Sequence, residues 1–284
     1  METRAAAPVL FVAHASPMLA LERDGHAARL RAFGDRFPRP AAIVVVSAHW
    51  EAPRPIRVTT APRPALIYDF GGFPRTLYEL QYPAPGSPEL AREIVEMLSQ
   101  EGVPAGEEPR RGWDHGVWIP LRLFYPEASV PVVEVSLPVP RDPDLVAGIG
   151  RALAPLRDRG ILLVGSGGIV HNLRLARLDR KDGPVDEWAR KFDDWVRERV
   201  QRRDLEELSV YRRLAPHADL AVPESEHFDP LFFALGAAGP NDELQEVNRG
   251  FEYGNLSLSS FAFVPRGNPH PRLSQRERGE ESSP

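Results

Sequence analysis

No cysteine occurs among the 284 residues. Its absence excludes disulfides and thiolate metal ligands, so a metal could be held only through nitrogen and oxygen donors. No apolar run approaches the roughly 20 residues needed to span a bilayer. The opening Met-Glu-Thr-Arg-Ala-Ala-Ala-Pro leads into a strand-length run with neither the length nor the cleavage pattern of a signal peptide. There is also no basic block: 35 Lys and Arg are mixed with 40 Asp and Glu, for a formal net charge of -5, which disfavours nucleic acid as a partner. Internal repeats and domain-separating linkers are missing. These absences together predict one cytoplasmic, non-membrane domain.

What is present fits an α/β chain. A hydrophobic content of 42% supports a full core without staples. The 30 prolines gather between elements, interleaved with Tyr68, Phe70, Phe73, Tyr78 and Tyr82, as expected of long rigid loops. Strands are predicted at 8–13, 42–47, 55–60, 131–136, 161–165 and 256–264. Between them lie helical patterns: one after Ser87 with Leu90, Ile94 and Met97 or Leu98 on one face, and one capped by Asp142 and kinked at Pro155. A third runs from Val185 to Arg203 with core aromatics at Trp188, Phe192 and Trp195, and a short one from Leu231 to Ala238. The segment from Arg110 to Pro120 reads as a Trp-rich loop, and 266–284 as a frayed tail. The predicted architecture is a single domain, a central mostly parallel or mixed sheet flanked by helices.

Histidine placement is the main functional signal. Val9–His14 and Ile43–His49 are β-branched apolar runs that each end in histidine where the strand would run out. Ligands of open α/β sheets bind at the carboxyl ends of the strands. Two imidazoles delivered there can meet at one metal ion. Ile161–His171 repeats the pattern through Gly165-Ser-Gly-Gly168, whose glycines would let backbone pass close to the site, and His227 precedes an apolar helix. A lone histidine is usually a satisfied core or surface residue, but several at strand ends argue for a metal site. His26, in a polar helical stretch, His217, in a loop, and His270, in the tail, are set aside. Neutral imidazole suits Zn(II) and Fe(II). The third ligand is either Glu226, giving two histidines and a carboxylate, or His227, giving three histidines. Ser47, Glu51, Glu226 and Asp229 are the nearest groups able to hold a ligand's second nitrogen. Asp114-His115 offers an oriented acid–base or donor pair.

Several motifs in this order carry a resemblance: Ala13-His14-Ala-Ser-Pro17, Val45-Val-Ser-Ala-His49-Trp50, Ile67-Tyr-Asp-Phe-Gly-Gly-Phe-Pro74, Asp114-His115-Gly-Val-Trp118, Gly165-Ser-Gly-Gly168 with His171-Asn172, and Glu226-His227-Phe-Asp229. The chain resembles the class III, LigB-type extradiol ring-cleavage dioxygenases over about residues 8–265, and within them the single-chain branch similar to 4,5-DOPA extradiol dioxygenase. The resemblance implies a catalytic domain over 1–265. It implies metal binding by His14, His49 and His227, with His171 as the acid–base residue able to reach the metal as a fourth ligand, and His115 as a second active-site histidine. It further implies Fe(II) for turnover, with Zn(II) in the protein as purified. Its partners would be a catechol, DOPA-like in structure, and O2, in a monomer or small homo-oligomer. Trp50, Tyr68, Phe70, Phe73 and Trp118 are candidate pocket walls, and Arg57, Arg63, Arg75 or Arg122 candidate contacts for a substrate carboxylate. A zinc-dependent hydrolase and a non-catalytic metal-binding interaction protein are the alternatives that share these ligands.

Overall fold

Residues 6–266 are described by the structure, a computed structural model. His270 and all but the first residue of the predicted tail lie outside them. The β-branched run of Ile43–Val46 shows how the sheet is buried on both sides. Side chains alternate across a strand, and here Ile43 and Val45 join one apolar cluster while Val44 and Val46 join the other. Leu10 and Val12 against Val9 and Phe11 divide in the same way.

The strands are β1 (Val9–Ala13), β2 (Ala42–Pro53), β3 (Ile56–Thr59), β4 (Ala105–Glu108), β5 (Val132–Val139), β6 (Ile161–Gly167), β7 (Glu243–Asn248), a small hairpin of β8 (Phe251–Glu252) and β9 (Leu256–Ser257), and β10 (Ser260–Val264). Eight form one sheet in the order β4-β3-β5-β2-β6-β1-β10-β7. The central four, β5, β2, β6 and β1, run parallel, while β10 is antiparallel to β1 and β7. The sheet is therefore mixed, as predicted.

Helices α1 (Gly25–Gly34) and α3 (His115–Phe124) cover one face. Helices α2 (Pro88–Gln100), α4 (Pro143–Leu153), α5 (Glu187–Arg202) and α6 (Pro230–Ala237) cover the other. Leu90, Ile94 and Leu98 form the buried stripe of α2, and Phe192, Val196 and Val200 that of α5. Each such side chain contributes about 1.5–3 kcal/mol when fully buried.

Four local readings change. The Trp-rich segment is not a loop from Asp114 onward; it becomes α3, with Trp118 fully buried and Pro120 inside the helix. The helix begun at Asp142, whose carboxylate accepts from Leu145 N, stops at Leu153 and continues as a 3-10 turn over Ala154–Arg159 instead of kinking. The predicted 256–264 strand is broken into β9 and β10. Strand β2 does not end before His49 but runs to Pro53. Strands β4 and β7 carry too few β-branched residues to stand out in the sequence.

Candidate metal centre and active site

Each site histidine is delivered by a separately anchored piece of chain. At the end of β1, Ala13 N–H donates to Ser260 Oγ (3.0 Å), and the Ala13 carbonyl accepts from His26 Nε2 (2.7 Å). His14 follows, buried, and Ala15 then turns the chain with a left-handed φ of 55°. His26 is thus no surface residue. It is 3% exposed and lies beneath the site without joining it.

His49 sits inside β2, where the register with β5 shifts between Val46 and Glu51. Such irregularities re-aim side chains beside active sites. His227 stands in the turn before α6, drawn against β6 by the alternation of that strand. A Cβ on Gly165 would lie 2.1 Å from the Pro230 carbonyl oxygen, and one on Gly167 would lie 2.1 Å from that of His227. The glycines do let backbone pass close, but it is the backbone of His227. Between them Ser166 points to the other face. His171, half-buried, is pinned by its N–H to the Ala221 carbonyl (3.0 Å). His115 opens α3, beside His49.

His14, His49 and His227 each place one ring nitrogen within 4.8 Å of the others. The tautomers follow from what holds Nδ1. Pro120 has no N–H to give the Gly116 carbonyl one turn earlier. Ser166 Oγ donates to that carbonyl instead (2.5 Å) and so accepts from His14 Nδ1 (3.1 Å). His227 Nδ1 donates to Glu226 Oε1 (3.1 Å), and His49 Nδ1 lies 3.4 Å from Asp69 Oδ2. With His14 and His227 donating through Nδ1 and the His49 Nδ1 turned toward a carboxylate, three Nε2 lone pairs remain. Those of His14 and His49 face each other at 3.0 Å, and His227 Nε2 is buried with no partner. Converging lone pairs without a proton between them repel; a divalent cation resolves that, and oxygen partners on the far nitrogens are what ligating histidines have. The donor set fits a metal.

Burial, followed by the neighbouring histidines, pulls His14 and His227 well below the ordinary imidazole range. His49 and His171 are drawn down to about 4, again chiefly by burial. All four are neutral at neutral pH. His171 stacks on His227 with ring centroids 3.5 Å apart and planes at 12°. It groups with Glu226 and His227, not with the trio of His14, His49 and His227. His115 lies 4.0 Å from His49 between ring centroids, and its Nδ1 is 3.0 Å from Asp69 Oδ2.

Of the four residues nominated to hold a ligand's second nitrogen, only Glu226 does so. Ser47 accepts from His49 N and donates to Asp114, Glu51 pairs with Arg141, and Asp229 accepts from Ser225. Ser166 takes that place at His14, and Asp69 is the carboxylate that approaches His49 Nδ1. Both lie inside quoted motifs, but their partners are 152 and 20 or more residues away, so spacing alone gave no signal for them. The nominated arginines Arg75 and Arg122 bond Glu79 and the Ala20 carbonyl. Arg141, which reaches Glu51 and Glu226, and Arg111, which bonds Asp114 and the His49 carbonyl, are the ones beside the site. Phe70 meets His115 edge-on at 5.6 Å and packs on Tyr68 and Phe73. Trp118 belongs to the core, and Trp50 lies under the Arg111 guanidinium.

Residues 9–263 match the family model described as the catalytic LigB subunit of aromatic ring-opening dioxygenase. A protein of Escherichia coli K12 named 4,5-DOPA dioxygenase extradiol is 40% identical over 89% of this chain and 93% of its own length. A protein of the same name from Beta vulgaris is 38% identical over 89% of this chain and 95% of its own. The crystal structure of an uncharacterized Escherichia coli K12 protein superposes with a TM-score of 0.77 at 35% identity, covering 92% of this chain and all of the other.

Proposed function

The chain belongs to the LigB family of aromatic ring-opening dioxygenases, and from that premise we propose that it opens a DOPA-like catechol beside its two hydroxyls, with His14, His49 and His227 holding the metal. The family is metal-dependent, and its members take a small aromatic substrate and O2. Among the described residues no helix is long and apolar enough to cross a membrane. The DOPA-like substrate is proposed from the names of the relatives, which cover nearly this whole chain.

One observation carries the ligand assignment: three imidazoles, two bonded through Nδ1 to an oxygen and the third with Nδ1 3.4 Å from one, whose other ring nitrogens converge. An Fe(II) ion there would supply the open coordination positions and redox capacity that ring cleavage with O2 requires, whereas Zn(II), equally at home with neutral imidazoles, is the ion proposed in the protein as purified. The chain supplies the rest. His171, neutral because it is buried, accepts a proton from a catechol hydroxyl and returns one as the ring opens. Its stack on His227 fixes the ring, so the proton moves at a set place beside the ligands. Phe70 with Tyr68 and Phe73 limits water on the His115 side. Both oxygen atoms of O2 end in the ring-opened semialdehyde.

Anaerobic reconstitution with Fe(II), followed by oxygen uptake and visible absorbance over a catechol panel that includes DOPA and protocatechuate, tests this. The expected result is a yellow product with one O2 consumed per catechol. A folded, metal-loaded protein that leaves oxygen untouched with every catechol overturns it, and turnover that persists without oxygen would transfer the site to zinc hydrolysis.

A further inference from the structure

The loop of residues 65–70 and the start of α3 are locked in register. Trp113 N–H donates to the Ala65 carbonyl (2.9 Å), and Ile67 N–H donates to the Trp113 carbonyl (2.8 Å). Gly112 makes this approach possible, since a Cβ there would sit 2.1 Å from the Ala65 oxygen. Two residues beyond each anchor stand Asp69 and His115. Asp69 Oδ1 accepts the His115 backbone N–H at 3.0 Å, and Oδ2 lies 3.0 Å from His115 Nδ1 and 3.4 Å from His49 Nδ1. One backbone N–H, which is hydrogen-bonded, and two ring nitrogens within 3.4 Å thus surround one carboxylate whose side chain is 23% exposed, while the buried His115 Nδ1 has no hydrogen-bond partner elsewhere.

We propose that Asp69 is a positioning residue that couples the metal cluster to the substrate side of the site, drawing Nδ1–H from both His49 and His115 so that each ring turns a bare Nε2 inward. For His49 that nitrogen is the metal ligand. For His115 it is a hydrogen-bond acceptor, able to take the O–H of a substrate hydroxyl and not able to donate to it. A carboxylate shared in this way fixes two tautomers with one residue, and its two ring partners lie on β2 and α3, held apart from each other in sequence. The acceptor role toward a catechol rests on the proposed function; the tautomers do not.

Long-range proton–nitrogen correlation spectra of the metal-free, nitrogen-15-labelled protein at neutral pH read both rings directly. The expected result is the Nδ1–H tautomer for His49 and His115 in the wild type and a shift of His115 to Nε2–H in Asp69→Ala. An Nε2–H tautomer for His115 in the wild type overturns the proposal without any variant. An unchanged His115 tautomer in a folded Asp69→Ala protein overturns it equally. Steady-state kinetics of Fe(II)-loaded Asp69→Asn should show kcat reduced on the order of 10–100-fold, as for other outer partners of a metal site, with metal retained. An unaltered kcat removes the coupling. If the wild type opens no catechol while the tautomers behave as expected, the proposed function fails and the Asp69 link stands.

Discussion

His14, buried, and His171, half-buried, are both neutral imidazoles, yet they are held in different ways. His14 is gripped at Nδ1 by Ser166 and faces His49 through Nε2. His171 has a stacked neighbour in His227. A ring held by a directional bond at one nitrogen presents the other in a fixed direction, as a ligand requires. A ring held by stacking keeps both nitrogens available for protons. His14→Ala is therefore expected to lower metal content and turnover together, whereas His171→Ala keeps most of the metal and loses turnover by about 10²–10⁴-fold, the usual span for general acid–base groups. Metal analysis alongside single-turnover kinetics checks this, and equal metal loss in the two variants would contradict the division.

Among elements, β6 carries the most information per residue. Gly165 and Gly167 face the turn before α6, and Ser166, between them, faces α3 and His14. Gly167→Ala would press a methyl group against the His227 carbonyl, so a loss of about 1–3 kcal/mol is expected, typical of overpacking. Metal affinity should fall as well, because the carbonyl belongs to His227, one of the three proposed ligands; denaturant titration with and without metal measures both. This strand also shows what sequence can reveal. Its apolar run announced a buried strand, and its glycines announced a close approach, because both signals are local. The identity of the backbone that approaches, and the bond from Ser166 to a carbonyl left open by Pro120, depend on residues more than about 45 positions away. The same holds for His49. Its β-branched lead-in was legible, but the shifted register that places it inside β2 depends on pairing with β5. His26 belongs in the set-aside group, but its polar stretch gave no sign of a ring that points inward to the Ala13 carbonyl and Asn248.

The stability of the whole molecule in acid depends on such rings. Burial, partly offset by the bond to Ala13, lowers His26 to about 4. Above pH 6.5 the ring is neutral folded and unfolded alike; as pH falls through 6.5 only the unfolded chain takes up the proton, and stability drains away until the folded ring also protonates near 4. Denaturant unfolding at pH 7 and pH 4.5 should show the wild type losing about 2–3 kcal/mol more than His26→Gln across that interval; equal losses would contradict the shift. The placement of β1 between β6 and β10 has a consequence in time as well. The strand that leads to His14 leaves a ribosome well before Ser260, which takes its last amide and lies 247 residues further along the chain. A nascent chain can bury β2, β5 and β6 but cannot close the seat of His14 until β10 arrives, so a metal held as proposed would be captured only after β10 has joined the sheet.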